Sequence, residues 1–246
     1  MSMNGVTAGS ARFTPAHNTE GATFGPACLW SALLGQTHKA TTAGGGGHGD
    51  VDSMQRENID PLPSSVSAFR ITHSKLPNCS LYQLPAAVVV LAAAIESVLA
   101  LGRGPIVLLG YSLSGAVVIE TAARVFRDHP PGWLAGVCVL APQGAGVHCD
   151  NIGGVNSMIH ASRALGAVGC RLCVYHGGSD KLIPSHVGEQ VASWHAEGVA
   201  SRGGDAGHGD AAVPLTSFHV EENDDHGVTF AGPLVRDFVT TQLGAS

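Results

Sequence analysis

The chain has 246 residues, 44% hydrophobic and 13% charged, enough to bury one sizeable core, so one folded domain is expected rather than two. A formal net charge of -6 and the lack of any basic stripe exclude a phosphate-tracking surface, which needs clustered Lys and Arg. Nucleic acid is therefore not an expected partner.

The opening stretch, MSMNGVTAGSARFTPAHNTEG, has neither a basic segment nor an apolar one and does not read as a secretory signal. Residues 1–40 are assigned to a poorly defined N-terminal segment, and residues 41–246 to a single domain that begins with the Gly-rich tract TTAGGGGHGD (Thr41–Asp50). VSAFRITHS (Val66–Ser74) reads as a strand. In LPAAVVVLAAAIESVLALG, Pro85 at the head and Gly102 just past the end are the start and stop signals of a helix. Its ten uncharged apolar residues, Ala86 to Ile95, end at Glu96 and Ser97. That run falls short of the roughly 20 residues a bilayer requires. A core helix is expected, and no transmembrane segment.

PIVLLG (Pro105–Gly110) is a buried strand, and the run from Ser114 is a helix that stops at Pro130, Pro131 and Gly132. LAGVCVLAP (Leu134–Pro142) is a further buried strand, followed by a loop and candidate lid over Gln143–Gly169. CRLCVYHGG (Cys170–Gly178) is a strand, PSHVGEQVASWHAEG (Pro184–Gly198) a helix, residues 198–213 a flexible Gly-rich insertion, and TSFHVEEN (Thr216–Asn223) the last strand. Near-continuous apolar strands separated by helices indicate an α/β fold with a mostly parallel central sheet covered by helices on both faces.

Six cysteines, at 28, 79, 138, 149, 170 and 173, are too sparse for a disulfide framework. Cys170 and Cys173 form a C-x-x-C, but residues three apart on a strand point to opposite faces and do not readily share a metal. Reduced thiols and a cytoplasmic location are expected. None of the 13 histidines shows the i, i+4 pairing of a helical zinc site, and the two GHGD repeats, Gly47–Asp50 and Gly207–Asp210, read as Gly-rich loops. No metal or redox cofactor is implied.

In parallel sheets, ligands sit beyond the carboxyl ends of the strands, so the residues after each strand are the ones to inspect. After PIVLL comes Gly110-Tyr111-Ser112-Leu113-Ser114-Gly115, which places Ser112 at a sharp strand-to-helix turn. Flanking glycines permit a strained backbone, and the helix N-terminus favours a developing anion beside the hydroxyl. The same serine could instead simply cap the helix.

This stretch resembles the nucleophile elbow of the α/β-hydrolase family. The usual G-x-S-x-G is met at Gly110 and Ser112, while Ser114 stands in place of the second glycine with Gly115 behind it. HGGSDKLIP (His176–Pro184) resembles the H-G-x-x-D-x-x-V/I-P stretch that carries the acid in many hydrolases of this fold, which implies Asp180 as the orienting carboxylate. Asp180 could also serve only to accept local backbone hydrogen bonds in its turn. His226, in a His-Gly turn after the last strand, completes the family's Ser–Asp–His chain order. The resemblance implies a three-layer α/β sandwich and covers the first 65 residues least.

Each role has a rival. His208 lies in the Gly-rich insertion and His219 within the last strand, while Asp150 follows a strand and is the alternative acid. Asp224 and Asp225 adjoin His226 and are poorly placed to reach its far nitrogen. For the oxyanion, the resemblance implies the Leu113 amide as one donor, with Gly46 of the Thr41–Asp50 tract as the second. A polyglycine tract also reads as a linker.

The expected activity is that of a serine hydrolase cleaving a carboxylic ester or thioester through an acyl-enzyme, with a small-molecule substrate. The small, mixed residues of Gln143–Gly169 favour a small or medium acyl group over lipid. The alternative is a hydrolase-fold binding or scaffold protein without turnover. The sequence gives no indication of oligomeric state.

Overall fold

A computed structural model describes residues 84–100, 104–129, 132–143, 155–202 and 214–244, together with the strand courses 14–15, 30–36 and 66–72. Among these the elements run β1 (Thr14–Pro15), β2 (Trp30–Gln36), β3 (Val66–Thr72), α1 (Leu84–Ala100), β4 (Ile106–Tyr111) and α2 (Leu113–Asp128). They continue with β5 (Leu134–Leu140), α3 (Val155–Ala167), β6 (Leu172–Gly177), α4 (Ser185–Ala200), β7 (Thr216–Glu221) and α5 (Gly232–Leu243).

The strands form one sheet in the order β1-β3-β2-β4-β5-β6-β7. From β4 to β7 every pairing is parallel, and each return to the sheet is made by a helix, as parallel strands require. β2 is antiparallel to both β3 and β4, and β1 is antiparallel to β3. The pairing of β2 runs from Ser31 opposite Gly110 to Gly35 opposite Ile106. The chain therefore enters β2 beside the carboxyl end of β4 and leaves it at the other end of the sheet.

Alternation along the strands divides the core. Ile106, Leu108, Val137, Val139, Leu172 and Val174 share one apolar layer with α1, α2, α3 and α4. Val107, Leu109, Cys138, Leu140, Cys173 and Tyr175 share the other with α5, through Val235, Val239 and Leu243. Two helix layers sandwich the sheet, giving the three-layer α/β architecture. Cys170, which precedes β6, and Cys173, within it, fall in opposite layers. Among the described residues no helix is long and apolar enough to cross a membrane.

Four segments depart from the sequence reading. The candidate lid Gln143–Gly169 contains α3, the crossover helix between β5 and β6, which buries Met158, Ala161 and Leu165 in the core. Its apolar stripe is narrow and built of small residues, so the helical period is faint. β1 and β2 lie within the 1–40 segment yet belong to the same sheet as the rest. α5, for which no element was expected, carries Pro233 at its start and ends at Gly244, whose φ of 60° suits glycine. Of the proposed insertion, Gly198–Ala200 complete α4 and residues 203–213 lie outside the described residues.

Candidate active site

The carboxyl ends of β4, β6 and β7 bring Ser112, Asp180 and His226 to one edge of the sheet. Parallel register does this: Tyr111 pairs with Leu140, Leu140 with Tyr175, and Tyr175 with His219, so the three strands end nearly level.

Ser112 sits between β4 and α2 with φ 53° and ψ -123°. A side chain in that conformation costs about 1–3 kcal/mol and persists only when its surroundings hold it. Here three hydrogen bonds do so. The Ser112 N–H donates to Leu140 O at 2.8 Å, and the Ser112 carbonyl accepts from Gly115 N–H and Gln143 N–H, both at 3.0 Å. The turn is closed by close approaches at the two flanking glycines. A Cβ on Gly110 would lie 2.6 Å from the Ser114 carbonyl oxygen, and one on Gly115 would lie 2.9 Å from Pro142 Cβ. Ser114 fits between them because its hydroxyl is used: Oγ donates to Tyr111 O at 2.7 Å and accepts from Tyr111 N–H at 2.9 Å.

Although Ser112 occupies the N-cap position of α2, its hydroxyl makes no capping hydrogen bond. It meets His226 Nε2 at 3.0 Å instead. On its other side, His226 Nδ1 lies 2.7 Å from Asp180 Oδ2. A carboxylate accepts, so Nδ1 carries the proton, Nε2 is the bare nitrogen, and Ser112 O–H is the donor toward it.

Asp180 divides its two oxygens between two tasks. Oδ1 accepts from Leu182 N–H at 2.8 Å and Ile183 N–H at 2.9 Å, the local turn bonding expected of any loop aspartate. Oδ2 faces His226. The local turn bonding therefore leaves Oδ2 available to the imidazole. His176, fully buried, donates through Nε2 to Ile183 O at 2.7 Å and lies 3.5 Å from Asp180 Oδ2. Burial pushes the His176 imidazole below its ordinary pKa, which keeps it neutral beside the carboxylate. It buttresses the Asp180 turn, a role the motif's first histidine did not reveal in sequence.

The Asp180 and His226 loops are fastened to each other. Gly178 N–H donates to Glu221 O at 2.8 Å, Ser179 N–H to Asp224 O at 2.9 Å, and Ser179 Oγ to Glu222 O at 2.8 Å. Asp224 is spent on its own turn rather than on His226, and Asp225 Oδ1 accepts from Gly227 N–H at 2.7 Å. His219 lies in β7 and is exposed. His208 and Asp150 lie outside the described residues.

At the start of α2, the Leu113 amide takes no hydrogen-bond partner among the described residues and adjoins the Ser112 side chain. An amide so placed is able to donate to an anion. Gly46, the other expected donor, lies outside the described residues. Among the described residues no group of three or more His, Cys, Asp or Glu side chains is arranged to hold a metal ion.

No protein-family model matches the chain, and no curated protein matches it either.

Proposed function

We propose that the chain is a serine hydrolase of the α/β-hydrolase kind, cleaving a carboxylic ester or thioester. The observation that carries this reading is the continuous hydrogen-bonded relay from Asp180 Oδ2 through His226 to Ser112 Oγ, with contacts of 2.7 and 3.0 Å. Neither packing nor helix capping requires the Ser112 hydroxyl to point away from its own helix.

In the proposed reaction Ser112 Oγ attacks the acyl carbon while His226 Nε2 takes the hydroxyl proton. Asp180 holds the Nδ1–H tautomer and stabilises the imidazolium. The tetrahedral oxyanion accepts from Leu113 N–H, and loss of such a donor costs on the order of 3 kcal/mol of transition-state stabilisation. His226 then protonates the leaving alcohol or thiol, and water, deprotonated by the same nitrogen, releases the acid from Ser112. α3 spends its apolar side on the core, which favours a small or medium acyl group over an interfacial lipid. Cys138, Cys170 and Cys173 are free and buried, in keeping with a cytoplasmic protein.

The alternative reading is a hydrolase-fold binding module without turnover. A fluorophosphonate probe separates the readings. Labelling of the wild type that disappears in Ser112→Ala supports the enzyme, and an unlabelled wild type supports the module. A panel of p-nitrophenyl esters and acyl-thioesters of graded length then identifies the substrate class.

A further inference from the structure

The strand that delivers Ser112 also grips the loop that delivers His226. Tyr111, the last residue of β4, donates its phenolic O–H to the main-chain carbonyl of His226 at 2.7 Å, across 115 positions of sequence. Its ring lies 5.3 Å from the imidazole, centroid to centroid, tilted by 40°. The Tyr111 main chain is itself fixed on both sides by the Ser114 hydroxyl, at 2.9 and 2.7 Å. Burial first, then the Asp180, Asp225 and Asp224 carboxylates, push the phenol up to about 12, so it stays a proton donor at neutral pH.

The relay from Asp180 to Ser112 does not pass through Tyr111. The other bonds on the His226 turn tie it elsewhere: Asp224 joins it to Tyr175 on β6, and Asp225 closes it on itself. Among the described residues only the Tyr111 contact links the histidine's main chain to the strand bearing Ser112, with a single peptide bond between Tyr111 and Ser112. We infer that Tyr111 is a positioning residue, setting the Ser112–His226 separation by holding both the carbonyl and one ring face of the histidine. This rests on reading Ser112 as the nucleophile.

Tyr111→Phe retains the ring and its packing against the α5-side core and removes only the O–H. Tyr111→Leu removes the ring contact as well. Three measurements on the full chain decide: the rate of fluorophosphonate labelling, kcat and KM on an ester, and the ring-nitrogen resonances of His226 in histidine-labelled protein. Displacement of a reacting group by about an ångström costs up to about 100-fold in rate. The expected result is that Tyr111→Phe stays folded with a slightly lowered melting temperature and keeps its KM, yet loses on the order of tenfold in kcat and labelling rate, with Tyr111→Leu losing more. The His226 resonances shift in both variants. A role in packing alone leaves Tyr111→Phe unchanged in all three, and that result overturns the inference. Should the wild type not be labelled at all, the resonances still decide: a shift in Tyr111→Phe upholds the hold on His226 while the hydrolase reading falls, and no shift overturns the hold itself.

Discussion

Tyr175 and Asp224, 49 residues apart, meet where β6 ends: the buried Tyr175 O–H donates to Asp224 Oδ2 at 2.5 Å. The same carboxylate accepts three main-chain amides, Phe230 N–H at 3.1 Å on Oδ2 and Thr229 and Asp225 N–H, each at 3.0 Å, on Oδ1. Burial of an acidic side chain is tolerable when every lone pair is met, and these four donors meet them. What the pair organises is the turn from Asp224 to Phe230, whose outermost residue toward Ser112 is His226. A buried carboxylate thus anchors the turn that carries His226.

Truncation of the two partners is therefore unequal. Tyr175→Phe removes one donor and costs about 1–2 kcal/mol, whereas Asp224→Ala strands four donors and costs about 3 kcal/mol or more. Denaturant titration measures both. Asp224→Ala also loses hydrolysis beyond its unfolded fraction, because the turn bearing His226 loses its anchor. Equal stability losses in the two variants would contradict this account.

The two serines of the elbow separate by readout. Ser112→Ala abolishes hydrolysis and probe labelling with the melting temperature nearly kept, since its hydroxyl bonds to His226 alone among the described residues. Ser114→Gly, although it restores the commoner G-x-S-x-G, removes both Oγ bonds to the Tyr111 main chain. It costs about 1–3 kcal/mol of stability while the folded fraction stays active. Activity in Ser112→Ala with none in folded Ser114→Gly would reassign the nucleophile.

Asp180→Asn tests the orienting charge with little harm to the loop. An amide oxygen in place of Oδ1 still accepts from Leu182 and Ile183, so the turn persists. The amide nitrogen then faces His226 Nδ1 as a donor and drives the ring to the other tautomer, with its proton on the nitrogen that should receive the serine's. A fall in kcat of about 10⁴ is expected, with substrate affinity retained. Turnover close to wild type in this variant would remove Asp180 from the mechanism and turn attention to Asp150.

How far the sequence disclosed this site depends on the kind of signal each part carries. Ser112, Asp180 and His226 announce themselves through local chemistry: a glycine-flanked turn, a His-Gly-x-x-Asp stretch and a His-Gly turn, each after an apolar strand. The hydrogen-bonded assembly of all three is a long-range fact, produced by strand register and by the bonds between their loops. β4, β5 and β6 are uninterrupted apolar runs and were legible. α3 was not, because Met158, Ala161 and Leu165 make too thin a stripe among small and polar residues. α5 carries a legible signal: Val235, Val239 and Leu243 recur at helical spacing between Pro233 and Gly244. Tyr111, His176, Tyr175 and Asp224 act across 7 to 115 positions, through contacts for which spacing in the sequence offers no sign.

Stability toward acid is governed in part by His195, far from the site. The ring is fully buried where α4 crosses the amino ends of β6 and β7, with Nε2 3.0 Å from Cys170 O and Nδ1 2.7 Å from Thr216 Oγ1. A carbonyl only accepts, so Nε2 holds the proton and Nδ1 accepts from the threonine; the neutral ring satisfies both partners. Burial pushes this imidazole down to about 4, against an ordinary value of about 6.5 in the unfolded chain. Between those values the unfolded state binds more protons than the folded one, so stability is retained above about pH 6.5, declines as the pH falls, and levels off below about 4. At 1.36 kcal/mol per unit the decline attributable to this residue approaches about 3 kcal/mol. His195→Gln, whose amide can still donate to Cys170 O and accept from Thr216, loses stability at pH 7 yet shows a flatter profile through the window. Denaturant midpoints at pH 7 and pH 4.5 for the two proteins give the comparison, and an equal drop in both would show that His195 is not the titrating group.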